Sequence, residues 1–241
     1  MKRIVYAFIL LTSFTWLVGC DDNNAIFDKY MVNGEDFLIG NLDSFKYYGG
    51  DQRAKLVVWA RDFRAVNLKV TRVDTSLIYN FLLSPTNRKD SMVYYIHSLK
   101  EGTNVMSMKT WNADSTVHSI PMDFTVTTWG SKFKTFLKQR SIVRSNFNLF
   151  TGAFTITWAT SNVIEPSYGK YAIGHEIKYL NTEGVEVLMK ELYTNQVAPP
   201  ITSVLANYPK TAGSFSYRMM YLPATTCIDT FRTEYTTVTA P

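Results

Sequence analysis

The sequence predicts an all-β protein made of two β-sandwiches in tandem, joined by a short helical connector. Three observations carry this. The 241 residues include 15 Tyr, 15 Phe and 5 Trp, and aromatic side chains suit a pleated, half-buried surface. Hydrophobic residues make up 46% of the chain, enough for a packed core and too many for a disordered chain. Apolar residues recur in short runs between turn signals rather than at the helical period.

The runs follow in order from residue 41: "SFKYY", "AKLVVWA", "VNLKVTRV", "SLIYNFLL", "SMVYYIHSL", "NVMSMKTW" and "HSIPMDFTVTTW". Turn-forming stretches separate them, among them "GGDQ", "SPTNRKD", "KEGTN" and "NADST". Seven short strands over residues 41–129 fit an immunoglobulin-like or fibronectin type III-like sandwich. "WGSKFKTFLKQRSIV" then breaks the β rhythm, with Phe133, Phe136, Leu137 and Arg140 at helical spacing, so 130–145 reads as a connector with one short helix. From 146 to 241 a second set begins with "GAFTITWATS", where Phe154, Ile156 and Trp158 share one face. It continues with "GHEIKYLN", "VEVLMKELY", "ITSVLANY", "SFSYRMMYLP" and "CIDTFRTEYTTV". Trp59 and Trp158 stand at similar places in the opening strands of the two sets, a weak internal repeat, and both read as core residues. Stepping back by twos from Trp59 meets Val57 and then Lys55. Either that strand carries a bulge or Trp59 faces outward.

Residues 1–19 have a basic start, "MKR", and an apolar run of 15 residues, shorter than the ~20 needed to span a bilayer as a helix. They read as a secretory signal peptide. Its end, "LVGC", resembles a bacterial lipobox, which makes Cys20 a lipidation site and residues 20–40 a lipidated tether. Two or three acyl chains would anchor the chain stably where one would not. The expected partner is thus a membrane, reached through the N-terminal lipid. The acidic start "CDDNN" resembles the surface-export signal of Bacteroidota lipoproteins, whereas in enterobacteria Asp after the cysteine would imply inner-membrane retention. The family resemblance below favours the first, and so the outer membrane, facing either the cell surface or the periplasm. With Cys20 acylated, Cys227 has no intrachain disulfide partner and packs as a small apolar residue. Removal of the leader takes Lys2 and Arg3, leaving 23 basic against 20 acidic residues with no basic block. That argues against nucleic acid as a partner.

Chemistry-bearing motifs are sparse. The three histidines, His97, His118 and His175, lack metal-ligand spacing, and no nucleophile elbow, phosphate loop or dinucleotide fingerprint is present. No metal, cofactor or catalytic residue is therefore expected. Asp229, an acid in the apolar "CIDTF", needs a partner, such as loop amides. Trp111, at the "TWNADS" turn, is the candidate for stacking on a sugar, or else covers the end of the core. Ser91 in "DSM" and Ser115 in "DST" match short O-glycosylation sites.

Three stretches resemble a family of Bacteroidota lipoproteins known only as a domain of unknown function: "YYGGDQRAKLVVWARD", "TTWGSKFKTFLKQR" and "FSYRMMYLPATTCIDTF". An extra residue between Arg53 and Trp59 departs from the family pattern and leaves the register of that strand open. Leu99, Gly102 and Thr103 resemble a fibronectin type III corner, but Val105 stands where its tyrosine would be, so the corner hydrogen bond should be missing. The resemblance implies tandem sandwiches and a place beside the glycan-importing complexes of polysaccharide-utilisation loci. From it follows the expected role: a non-catalytic surface lipoprotein that binds polysaccharide or docks with neighbouring lipoproteins. The alternatives are a small glycoside hydrolase or lyase, whose paired acids would come from Glu165, Glu176, Glu183, Glu186, Glu191, Asp229 and Glu234, or an adhesin- or pilus-like assembly subunit.

Overall fold

The computed structural model describes residues 38–83, 90–159, 164–165, 170–193, 201–210 and 213–239. Cys20, the stretch read as a signal peptide and nearly all of the stretch read as a tether lie outside them. The described chain holds sixteen strands and one helix of five residues.

The first sandwich has a three-stranded sheet of order β1–β2–β5 and a four-stranded sheet of order β4–β3–β6–β7. Its strands are β1 (Ser44–Gly49), β2 (Ala54–Trp59), β3 (Asn67–Arg72), β4 (Leu77–Leu82), β5 (Met92–Ile96), β6 (Gly102–Trp111) and β7 (Met122–Thr128). Each is one of the seven alternating runs. Leu56 and Val58 of the first sheet close on Leu68, Val70, Met106 and Met108 of the second, all fully buried. Leu99 is buried at the corner while Val105 points to solvent, so a tyrosine corner bond has no donor here.

The second sandwich repeats the plan. A three-stranded sheet runs β8 (Ile142–Asn148), β9 (Ala153–Trp158), β13 (Thr202–Leu205), in the order β13–β9–β8. The facing sheet is centred on β11 (Lys170–Leu180) and β14 (Ser214–Leu222). β12 (Glu186–Leu192) and the short β10 (Ile164–Glu165) pair with β11, while β15 (Phe231–Arg232) and β16 (Thr236–Thr239) pair with β14. Trp158, Phe154, Ile156 and Tyr208 fill its core.

Three details differ from the sequence reading. β8 begins inside the stretch read as connector, because a register shift between Ile142 and Arg144 breaks its alternation. "CIDTFRTEYTTV" is not one strand: Cys227 to Thr230 form a loop, and β15 and β16 follow separately. Trp59 is not a core residue. β2 pairs with β1 and β5 in unbroken register, so Ala54, Leu56 and Val58 face inward and Lys55, Val57 and Trp59 face out. β2 is thus one residue out of phase with β9, and a one-residue slip exchanges the two faces.

Helix α1 (Ser131–Thr135) opens the link between the sandwiches. The Glu101 carboxylate accepts the backbone N–H groups of Lys132 (2.8 Å) and Phe133 (2.5 Å), satisfying two donors that a helix start leaves open. Phe133 is buried against Phe231, ring centroids 5.0 Å apart.

Candidate functional site

Three places could carry function: the junction, a buried polar cluster in the second sandwich, and the outer face of the β1–β2–β5 sheet.

The junction gathers residues from all three motif stretches. Asp229 accepts the Asp51 backbone N–H (2.8 Å) and Arg53 Nε–H (2.9 Å), and a second guanidinium N–H bonds its other oxygen. Arg53 first, then the Asp51 amide, holds the Asp229 carboxyl below the usual carboxylate range against the opposing effect of burial. The Ile228 N–H donates to Gly49 O (3.1 Å), and Trp129 exchanges backbone bonds with Gly50 and Gln52. A side chain at Gly50 would meet Asp229 Oδ2 at 2.2 Å, which explains a glycine there. Asp229 is thus a brace between the β1–β2 turn and the C-terminal loop. Asp229→Asn should cost about 1–2 kcal/mol, between the values for exposed and buried pairs. Because the folded pKa is depressed, this stabilisation is present above the unfolded value near 4 and fades as pH falls through the folded one. A melting series from pH 7 to pH 3 should show the variant losing less than the parent.

Beside this brace lies an open groove of about 320 Å³ lined by Glu101, Thr128, Trp129, Lys132, Phe133 and Phe136. Its acid is already committed to the start of α1. Cys227, half-buried in the same region, has its thiol pKa raised by burial, as fits a packing role.

In the second sandwich His175, Ser203 and Glu191 meet, a trio that invites comparison with a nucleophile, base and acid. Their arrangement opposes that reading. His175 Nε2 contacts both Glu191 Oε2 (2.8 Å) and Ser203 Oγ (3.1 Å), and Nδ1 contacts the Tyr193 hydroxyl (2.8 Å). The Ser203 hydroxyl donates to Glu191 (2.6 Å) and accepts the Trp158 indole N–H (2.7 Å). In a Ser–His–acid triad the acid sits on Nδ1 and the serine proton is directed at Nε2; here the proton goes to the acid. Arg140 is buried beside this cluster, its guanidinium 5.5 Å from the Trp158 ring and 5.9 Å from the Tyr193 ring. Burial pushes the Tyr193 phenol up to about 12. Burial would raise Glu191 as well, but bonds from His175 and Ser203 and the field of Arg140 carry it below its usual value. His175, Ser203, Tyr193 and Glu191 thus partner one another in the core, while one Arg140 guanidinium nitrogen is buried without a partner among the described residues.

The remaining described acids of the second sandwich are either held by cations or exposed. Glu176 is held by Arg218 (2.6 Å) and Arg232 (3.5 Å), and Glu186 lies 3.5 Å from Lys178. Glu183 and Glu234 are exposed, and the side chain of Glu165 lies outside the described residues. No cluster of three or more His, Cys, Asp or Glu forms a metal site among the described residues.

Trp111 ends β6, as its place beside the turn suggested, half-buried and with two neighbours over its ring. Lys69 Nζ stands 3.9 Å from the ring centroid and the His118 ring 4.6 Å away, and the indole N–H is buried without a partner among the described residues. Ser91 is exposed just before β5. Ser115 is half-buried at positive φ in a turn held by the Asn112 carboxamide oxygen, which accepts the Thr116 and Val117 N–H groups.

The outward residues of β1, β2 and β5 make a different surface. Across the strands run the rows Ser44–Trp59, Lys46–Val57–Val93 and Tyr48–Lys55–Tyr95. Tyr48 and Tyr95 flank Lys55 at two strand spacings, about 10 Å, and Trp59 lies four residues further along β2, about 13 Å away. Lys46 Nζ is 6.0 Å from the Trp59 ring centroid, and Tyr95 is 45% exposed. The same face of the second sandwich shows that the fold does not demand this. There Thr155 and Thr157 occupy β9, with Asn146 and Arg144 on β8 and Thr202 and Val204 on β13. Sequence reading missed this face, although the parity of Ala54, Leu56 and Val58 was the signal that pointed to it.

Comparison with known proteins fits this unassigned chemistry. The family DUF4998, described as a domain of unknown function, matches residues 20–231. The chain belongs to that family. No curated protein matches it. Among solved structures it is similar to the FN1–FN3 domains of chicken CNTN1 (9% identity, TM-score 0.41, covering 86% of this chain and 69% of that one). It is similar also to fibronectin(III)-like modules of Clostridium thermocellum CbhA (8%, 0.42, covering 81% and 92%). Two fibronectin type III domains of chicken tenascin match at 10% identity and a TM-score of 0.29, covering 83% of this chain and 99% of that one.

Proposed function

We propose that this chain is a non-catalytic, lipid-anchored accessory module that binds polysaccharide on the outer face of the β1–β2–β5 sheet. The observation that carries this is the outward set Trp59, Tyr48 and Tyr95, on a face where the sister sandwich has threonine and asparagine. Aromatic rings standing on a flat sheet offer apolar faces to the C–H faces of sugar rings, with polar neighbours to meet hydroxyls. Anchoring through Cys20 in the outer membrane, and a place beside a glycan-uptake system, complete the reading. Both rest on the leader sequence and the family resemblance. A glycan array probed with the full chain tests it. Trp59→Ala should lose binding at least about tenfold, the loss of roughly 1.4 kcal/mol of contact, while Trp111→Ala should leave it nearly unchanged. Binding lost in Trp111→Ala and kept in Trp59→Ala would move the site to the other sheet, and no glycan bound at all would sink the reading.

A second reading, docking to a neighbouring protein, is favoured by β4. This edge strand exposes Leu77, Ile78 and Leu82 and, among the described residues, pairs on one side only, with β3. Open apolar edges are where another chain adds a strand.

A further inference from the structure

Resting on the polysaccharide reading, we infer that the ligand is an acidic glycan, bearing carboxylate or sulfate groups. The argument is the charge of the face. Its three rows contain Lys46 and Lys55 and no acidic residue. Lys46 sits opposite Val57, which makes Lys55 and Trp59 its diagonal neighbours across the strands, within reach of a long side chain. Among the described residues neither lysine has a carboxylate within salt-bridge distance, whereas Arg64, Arg72, Lys100, Lys134 and Arg218 each have one.

Arg53, at the border of the face, is different. It lies 5.8 Å from the Tyr95 ring but its guanidinium is engaged by Asp229. Among the described residues, the cations of this face without a carboxylate partner are therefore the two lysines, set between the rings rather than beyond them. Like charges side by side on a sheet repel. An anion placed between Lys46 and Lys55 relieves that repulsion while its sugar ring lies against Trp59 or Tyr48. A neutral glycan would gain only the stacking. Two lysines are too few for a nucleic-acid interface, in which several phosphates are neutralised together.

The test compares matched pairs of polysaccharides that differ only in charge. One pair is polygalacturonate and its fully methyl-esterified form; the other is chondroitin sulfate and its desulfated, carboxyl-reduced form. Binding of the full chain in detergent micelles would be measured at low and high salt. The acidic member of at least one pair should bind about tenfold or more tightly than the neutral one, and high salt should erase the difference. In Lys46→Gln/Lys55→Gln the two members should bind alike, while Trp59→Ala should weaken both. Equal affinity within every pair for the parent chain would overturn the charge inference and leave the polysaccharide reading standing. No binding to any member would overturn both. Tighter binding to single-stranded DNA than to every acidic glycan would reassign the face to nucleic acid. Lys46 is exposed and Lys55 and Trp59 are half-buried, so unchanged melting curves would separate loss of binding from loss of fold.

Discussion

Gly49→Ala should destabilise the chain by about 3 kcal/mol or more. A Cβ at this position would fall 1.8 Å from the Thr127 carbonyl oxygen and 3.3 Å from the Trp129 ring. Neither can yield freely. Thr127 lies in β7, paired with Thr103, and Trp129 is tied by backbone bonds to Gly50 and Gln52. The Gly49 carbonyl also accepts the Ile228 N–H, so a displaced turn would release the C-terminal loop as well. For a chain of this length 1 kcal/mol shifts the melting temperature by roughly 2–4 °C, so a fall of about 6–12 °C is expected. A melting curve superimposable on that of the parent would show that the turn has room, and the account of the junction would fail.

Glu191→Gln should cost about 2–4 kcal/mol, because it leaves the buried Arg140 without the carboxylate whose field it shares. It also takes the charge from the oxygen that both the Ser203 hydroxyl and His175 contact. The effect depends on pH. The folded Glu191 pKa is depressed, so its stabilisation exists at neutral pH and is lost as pH falls through the folded value. The difference between parent and variant should therefore shrink toward pH 3. Replacing Arg140 by Met in the same chain should restore part of the loss, since the Glu191 charge then no longer serves to balance the Arg140 field. Purely additive costs would mean that Arg140 and Glu191 do not sense one another.

Where side chains alternate strictly, the strands were legible from residue types alone: β1 to β7, β9 and β14 fall where the alternating runs do. β8 was not legible, because its register shift after Ile142 places polar and apolar residues out of step. Trp59 was misread because its size suggested core, when the parity of its neighbours had already assigned it to solvent. The brace at Asp229 and the cluster around His175 depend on partners far apart in sequence, 176 residues for Arg53 and 28 for Ser203. No local period encodes such pairings. The motifs that resembled a family had a physical reason to recur, since "GGDQR", "TTWG" and "CIDTF" all meet at the junction.

That meeting also orders events in time. The β1–β2 turn leaves the ribosome well before Ile228 and Asp229, so the Gly49–Arg53 turn must wait for a partner 176 residues downstream of Arg53 before it is fastened. Contacts of such long separation close late. A nascent or truncated chain ending before residue 228 would carry an unfastened turn, marking it as unfinished to any protease that samples loose loops.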